Sequence, residues 1–226
     1  MMQIENLSKS FGANKVLQNI HLQLEAGKVY GVVGQNGAGK TTLFRCMAGL
    51  ESYFGRINTE SDRFKDRLGF LPTNPFFFAK ITGREYLQLL CNARRITSPD
   101  FDAKNIFELP LNEYAINYST GMKKKLAVTG ILLQQNDFFI LDEPFNGVDI
   151  QSNILLTEII LRLKALKKTI VIASHIFSTL QDTCDEIHLL EAGKFQPAVL
   201  KADFQQLETT MKAITIGNRL DQLDLK

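Results

Sequence analysis

The sequence predicts an α/β fold built around a largely parallel sheet, and three observations lead there. Short apolar runs of strand length alternate with helix-like segments along most of the chain. One of these runs opens into a glycine-rich loop that passes directly into a helix. Two others end abruptly in polar residues, Asp142-Glu143 and Ser174-His175, at the strand edge where ligands of such sheets collect.

In chain order, Met2–Leu7 and Val16–Leu24 carry alternating apolar residues on either side of a turn at Gly12 and Asn14, and predict an antiparallel β unit. Lys28–Val33 is a β-rich run ending at Gly34, and a helix pattern follows over Thr42–Leu50. Gly55–Asn58 and Leu68–Leu71 read as strands, the second stopped by Pro72. Gly83–Arg95 turns helical, with Tyr86, Leu87, Leu90 and Cys91 on one face. Ser119–Gln134 is a further helix, basic at its start and apolar later. Strand Phe138–Leu141, helix Ile154–Leu166, strand Thr169–Ala173 and helix Phe177–Cys184 come next. Ile187–Leu190 and Lys194–Phe195 flank an Ala-Gly turn and predict a hairpin. Thr73–Tyr118 interrupts the alternation and marks a subdomain, and the tail after Gln196 is partly helical.

A length of 226 residues is enough for one well-cored domain with a small subdomain. The formal net charge of +2 is too small to argue for nucleic acid, and no such partner is expected. Cys46, Cys91 and Cys184 stand far apart with no CxxC pair, which suits a reducing cytosol better than disulfides or zinc. The opening MMQIENLSKSFG has no apolar h-region, so no secretory signal is expected. No apolar stretch approaches the roughly 20 residues a spanning helix needs. A membrane pore would have to come from another polypeptide.

The glycine-rich loop is GQNGAGKT, Gly34–Thr41. Gly34, Gly37 and Gly39 let the backbone curl so that successive N–H groups point inward at an anion. The helix that follows adds its positive end. Lys40 supplies a point charge for β- and γ-phosphates, and the Thr41 hydroxyl is placed to hold Mg²⁺. At the same sheet edge, Asp142 suits Mg²⁺ directly or through water, and Glu143 can polarise an attacking water. His175 reaches the same edge and can hydrogen-bond a γ-phosphate. His21 and His188 lack that setting and read as structural.

Together these residues resemble the nucleotide-binding subunits of ABC (ATP-binding cassette) transporters. GQNGAGKT matches the family's Walker A, FFILDE its Walker B and IASH its switch-histidine strand. YSTGMKKKL, Tyr118–Leu126, stands in the place of the signature LSGGQ, with Ser119 and Gly121 matching and Thr120 and Met122 departing. Asn146-Gly147-Val148-Asp149 occupies the D-loop position, and Phe11-Gly12 the aromatic-glycine pair that stacks on adenine. The order is right from about residue 2 to 195.

The resemblance implies a P-loop NTPase parallel sheet with an antiparallel N-terminal β subdomain and a helical subdomain. Residues 1–72 and 135–195 would form the catalytic core, 73–134 the helical subdomain with the signature, and 196–226 a tail. It implies ATP bound by Phe11, Gly34, Gln35, Asn36, Gly37, Ala38, Gly39, Lys40, Thr41 and Thr42, with Ser119 and Gly121 clasping the γ-phosphate held by a second subunit. Mg²⁺ would sit on Thr41 and Asp142, with Glu143 and His175 as the catalytic groups.

As partners it implies a homodimer, or pairing with a similar cassette, and an integral-membrane permease subunit. The chain would then be cytoplasmic and peripheral on the inner face of the cell membrane. Thr73–Leu90 would dock the permease, with Phe76-Phe77-Phe78 serving either as a contact patch or partly as core. Signatures of the form S-x-G-M are similar to those of exporter-like (ABC-2 type) members.

Where the family carries a glutamine after the strand Leu68–Leu71, this chain has Thr73, expected to be too short to span the same gap. A soluble ATPase of the same type, uncoupled from any membrane partner, is the alternative function. A P-loop kinase or GTPase would leave the signature region unexplained, and no NKxD-type guanine reader is present.

Overall fold

The computed structural model describes residues 1–60, 63–97 and 99–216, with side chains to Met211. The chain runs β1 (Met2–Phe11), β2 (Asn14–Leu24), β3 (Val29–Val33), α1 (Lys40–Met47), β4 (Phe54–Thr59) and β5 (Leu68–Leu71). Then come α2 (Gly83–Ala93) and α3 (Thr120–Leu133), followed by β6 (Phe138–Asp142), α4 (Ile150–Ala165), β7 (Thr169–Ala173) and α5 (Phe177–Thr183). β8 (Glu186–Glu191), β9 (Lys194–Phe195), β10 (Val199–Leu200) and α6 (Phe204–Ile216) complete the order.

Two sheets result. The first is antiparallel, in the order β2-β1-β4, as the alternating N-terminal pattern predicts. The second runs β10-β8-β3-β7-β6-β5, with β9 paired to β8. Its four inner pairings from β8 to β5 are all parallel, and the short β9 and β10 run antiparallel to β8.

Strands buried on both faces feed two separate cores, because successive side chains point to opposite sides. Val29, Phe139, Leu141, Ile170 and Ile172 face the helices, packing with Leu87, Cys91, Leu126 and Ile131. Tyr30, Val32, Phe138, Ile140 and Val171 face the other way, against Leu43 and Phe44 of α1 and Met2, Ile4 and Leu22 of the N-terminal sheet. The helical insertion thus shares a continuous core with one face of the parallel sheet.

Local chemistry sets the helix starts. Thr82 and Glu85 form a reciprocal capping box at α2, the Thr82 hydroxyl accepting from the Glu85 N–H at 3.2 Å. α4 begins at Ile150, four residues before the predicted Ile154, because Asp149 accepts from the Ser152 N–H at 2.8 Å and caps it. α1 likewise begins at Lys40, ahead of the predicted Thr42.

The three phenylalanines divide. Phe77 is buried against Tyr86, with ring centroids 4.6 Å apart, while Phe76 and Phe78 stay exposed and pack edge to face. His188 lies between Tyr30 and Phe195, and burial pushes its imidazole down to about 4, leaving it neutral. All three cysteines are buried and unpaired.

The predicted tail contributes to the core through Phe204 and Leu207 of α6, and residues 217–226 of it lie outside the described residues. Among the described residues, no helix is long and apolar enough to cross a membrane.

Candidate nucleotide site

The site grows from the C-terminal edge of the parallel sheet. β7 pairs with β3 on one side and β6 on the other, with Asp142 registered against Ala173. The loop after β3 therefore faces the carboxylates after β6 across the end of β7. Gly37 and Gly39 carry φ of +83° and +108°, conformations that glycine adopts without strain. Gly39 is the N-cap of α1, and no side chain caps that helix. Its first N–H groups are left to an incoming anion.

Lys40 is buried, and its ammonium donates to the carbonyls of Gly34 at 2.7 Å and Gln35 at 3.2 Å. Burial lowers its pKa, and the carboxylates of Glu143 and Asp142 act in the opposite direction. A charge held in so little water interacts strongly with a phosphate.

Asp142 is 1% exposed. Its Oδ2 accepts from the Thr41 hydroxyl at 2.7 Å and from the Thr73 hydroxyl at 2.6 Å. Its Oδ1 is buried and meets no hydrogen-bond partner among the described residues. An unsatisfied carboxylate oxygen beside two hydroxyls, all hard oxygen donors, suits a divalent cation of the Mg²⁺ type.

Thr73 reaches the site through the Asp142 carboxylate. The side chain is short, but β5 pairs with β6 so that Leu71 lies beside Leu141, and the backbone itself carries Thr73 to Asp142.

Glu143 has a φ of +54°, uncommon for a residue with a side chain. Its N–H donates to the Ala173 carbonyl at 2.9 Å. Its carboxylate accepts from the His175 N–H at 3.2 Å, and His175 Nε2 lies 3.0 Å from Oε1. These groups share a cleft of about 390 Å³ lined by Val16, Asn36, Gly37, Gly39, Lys40, Thr41, Thr42, Thr73, Asp142, Glu143 and His175. Val16 was missed in the sequence because an apolar residue on an alternating strand gives no signal of contact with a ligand.

A glycine-rich loop thus faces a carboxylate pair and a histidine across one cleft. The ABC transporter family matches residues 17–146. An ABC transporter ATP-binding protein of Methanocaldococcus jannaschii is 32% identical over 203 residues, covering 85% of this chain and 75% of that protein. The chain belongs to the ABC transporter family, as an ATP-binding and ATP-hydrolysing subunit.

The bacitracin transport ATP-binding protein of Enterococcus faecalis is 31% identical, covering 85% of this chain and 67% of its own length. A lantibiotic transport ATP-binding protein of Streptococcus pyogenes is 30% identical, covering 86% and 88%. The fold superposes on a solved ATP-binding subunit of an ABC transporter with a TM-score of 0.79 at 24% identity, over 92% and 93% of the two chains.

In this ABC subunit the remaining predicted residues stand apart from the cleft. Ser119 caps α3, accepting from the Met122 N–H at 3.2 Å. Gly121 packs onto the D-loop position so tightly that a Cβ there would lie 2.5 Å from the Gly147 carbonyl oxygen. Neither lines the cleft that holds Lys40 and Glu143. Phe11, at the end of β1, is half exposed, with the Lys9 ammonium 4.6 Å over its ring. Gly34, Gln35 and Ala38 form the rest of the loop, with the Ala38 N–H turned back onto Gln35 at 3.1 Å.

Proposed function

We propose that two copies of the chain, or one copy and a similar cassette, close head to tail around two ATP molecules and drive an exporter whose spanning part is a separate permease. The observation that carries this reading is the division of the site. The loop, Asp142, Glu143 and His175 share one cleft, and the signature serine, Ser119, caps a helix outside it. A second copy would bring its Ser119 and Gly121 to the open side of the nucleotide.

In this reading the N–H groups of Gly37 and Gly39–Thr42 and the Lys40 ammonium hold the β- and γ-phosphates, and Phe11 stacks on adenine. Thr41 and Asp142 hold Mg²⁺, which when bound neutralises charge on the phosphate oxygens. Glu143 orients the attacking water and takes its proton. His175, beside Glu143, fixes the carboxylate and donates to the γ-phosphate. The partner's Ser119 hydroxyl donates to the same phosphate. Cleavage removes the charge that bridges the subunits, and they part.

The exposed rings of Phe76 and Phe78 offer an apolar contact for the permease on the inner face of the membrane. The S-x-G-M signature and the relatives named for bacitracin and lantibiotic transport support export as the direction.

The test is Glu143→Gln, which keeps the shape and removes the proton acceptor. It is expected to bind ATP, accumulate as a dimer by size-exclusion chromatography, and lose turnover by about a hundredfold or more. Near-normal turnover would refute Glu143 as the base, and a strictly monomeric Mg·ATP-loaded variant would refute the paired mechanism.

A further inference from the structure

α3 carries three consecutive lysines just after the signature, and the fold treats two of them in opposite ways. Lys125 reaches Asp149 at 3.1 Å and Ser152 at 3.2 Å, at the start of α4. Lys124 is 2% exposed, and its Nζ donates to the backbone carbonyl of Glu143. Lysine is almost never this buried without a strong partner, because losing water costs its ammonium heavily. Burial does lower its pKa, and the carboxylates of Glu143 and Asp142 oppose that shift.

The partner that Lys124 has found is a strained residue. At φ +54° Glu143 occupies a region that a side chain disfavours, and such a conformation persists only where its surroundings fix it. Three contacts fix this backbone. Its N–H donates to Ala173, and its carbonyl accepts from the Asn146 N–H at 3.3 Å and from Lys124. The first two come from backbone that any sequence would supply. The third comes from one side chain, in a different helix.

We infer that Lys124 is a positioning residue for Glu143, its buried ammonium holding the carbonyl so that the carboxylate stays beside His175 in the cleft. The inference rests on reading Glu143 as the base. Lys124 does not line the cleft, so it acts through Glu143 and not on the nucleotide. The same contact docks the signature helix onto the end of β6 within one chain.

The test uses the purified chain with Lys124→Met, which fills the same channel without charge or donor, and Lys124→Gln, which retains a donor. Turnover of Mg·ATP and affinity for ATP are measured for both. Lys124→Met is expected to lower kcat by about tenfold to a hundredfold with ATP affinity unchanged, the loss that misplacement of a catalytic group brings. Lys124→Gln should recover part of that rate.

The deciding measurement repeats Lys124→Met in a Glu143→Gln background, following the slow residual hydrolysis with radiolabelled ATP. With no carboxylate left to position, the second change should cost little further. Wild-type kcat for Lys124→Met, or an equal loss in both backgrounds, would overturn the inference. Should Lys124→Met not fold, Lys124→Gln carries the same pair of measurements. An inactive Glu143→Gln alongside a normal Lys124→Met sinks this inference alone, whereas an active Glu143→Gln sinks the reading of the base beneath it.

Discussion

Two helix starts in this subunit, those proposed to meet phosphate, are built differently. α1 opens from Gly39 with no side-chain cap, whereas α3 opens from Ser119, whose oxygen already accepts a backbone N–H. The caps of α2 and α4, Thr82 and Asp149, also use side-chain oxygens, whereas α5, like α1, starts without a side-chain cap. A capping oxygen at Gly39 would satisfy the N–H groups that a phosphate needs. Ser119 avoids that conflict by another route, since a hydroxyl can accept with a lone pair and still donate its own proton.

On the proposed mechanism one start spreads its binding over backbone groups, with Lys40 as the charged contributor, and the other concentrates it in one hydroxyl. The first should bind nucleotide in a lone subunit. The second should matter only when two subunits meet.

That contrast breaks first at Lys40. Lys40→Ala removes a buried charge-assisted donor and should weaken ATP binding by roughly tenfold to a hundredfold, even in the monomer, as read by titration with a fluorescent nucleotide. Unchanged affinity would take the loop out of the binding site. The smaller and more selective effect belongs to Ser119→Ala. Monomer affinity for ATP should stay constant, while turnover falls by about tenfold for loss of one donor to a developing charge. The lost cap should lower unfolding stability by about 1 kcal/mol, and Ser119→Thr should restore both. A fall in monomer affinity equal to that of Lys40→Ala would erase the distinction between the two starts.

The parts of the molecule that were legible in the sequence are those where one local pattern has one physical meaning. Phe138–Leu141 and Ile170–Ala173 are unbroken apolar runs because both faces of those strands are buried, and polar residues follow where the sheet ends. The sequence places α4 four residues late because Gln151, Ser152 and Asn153 separate Ile150 from the apolar run that begins at Ile154. The cap formed by Asp149 and Ser152 was the signal that marked its true start. β10 has two residues held by pairing to β8, too few to leave a pattern. Lys124 was hidden in a run of three lysines that reads as a solvated helix start. Successive helical residues point about 100° apart, so such a run samples several environments, and composition cannot say which lysine turns inward.

Thr73 marks the limit of reading a side chain by its length. Two hydroxyls meet the same Asp142 oxygen, at 2.7 Å from Thr41 and 2.6 Å from Thr73, and a carboxylate oxygen has lone pairs for both. Thr41 sits in the first turn of α1, and Thr73 past the end of β5, on the segment that leads toward the exposed Phe76 and Phe78. The two hydroxyls therefore tie Asp142 to two different elements, α1 and the segment after β5. Thr73→Val keeps the branched shape and deletes only the donor, leaving Thr41 in place, so it should give the smallest change of the three. ATP affinity should hold, and the Mg²⁺ concentration for half-maximal turnover should shift by about threefold, less than the full worth of a hydrogen bond to a charged group. A shift as large as that of Thr41→Val would make the two hydroxyls equivalent. No shift at all would leave Thr73 as a contact of the strand end with no part in the site.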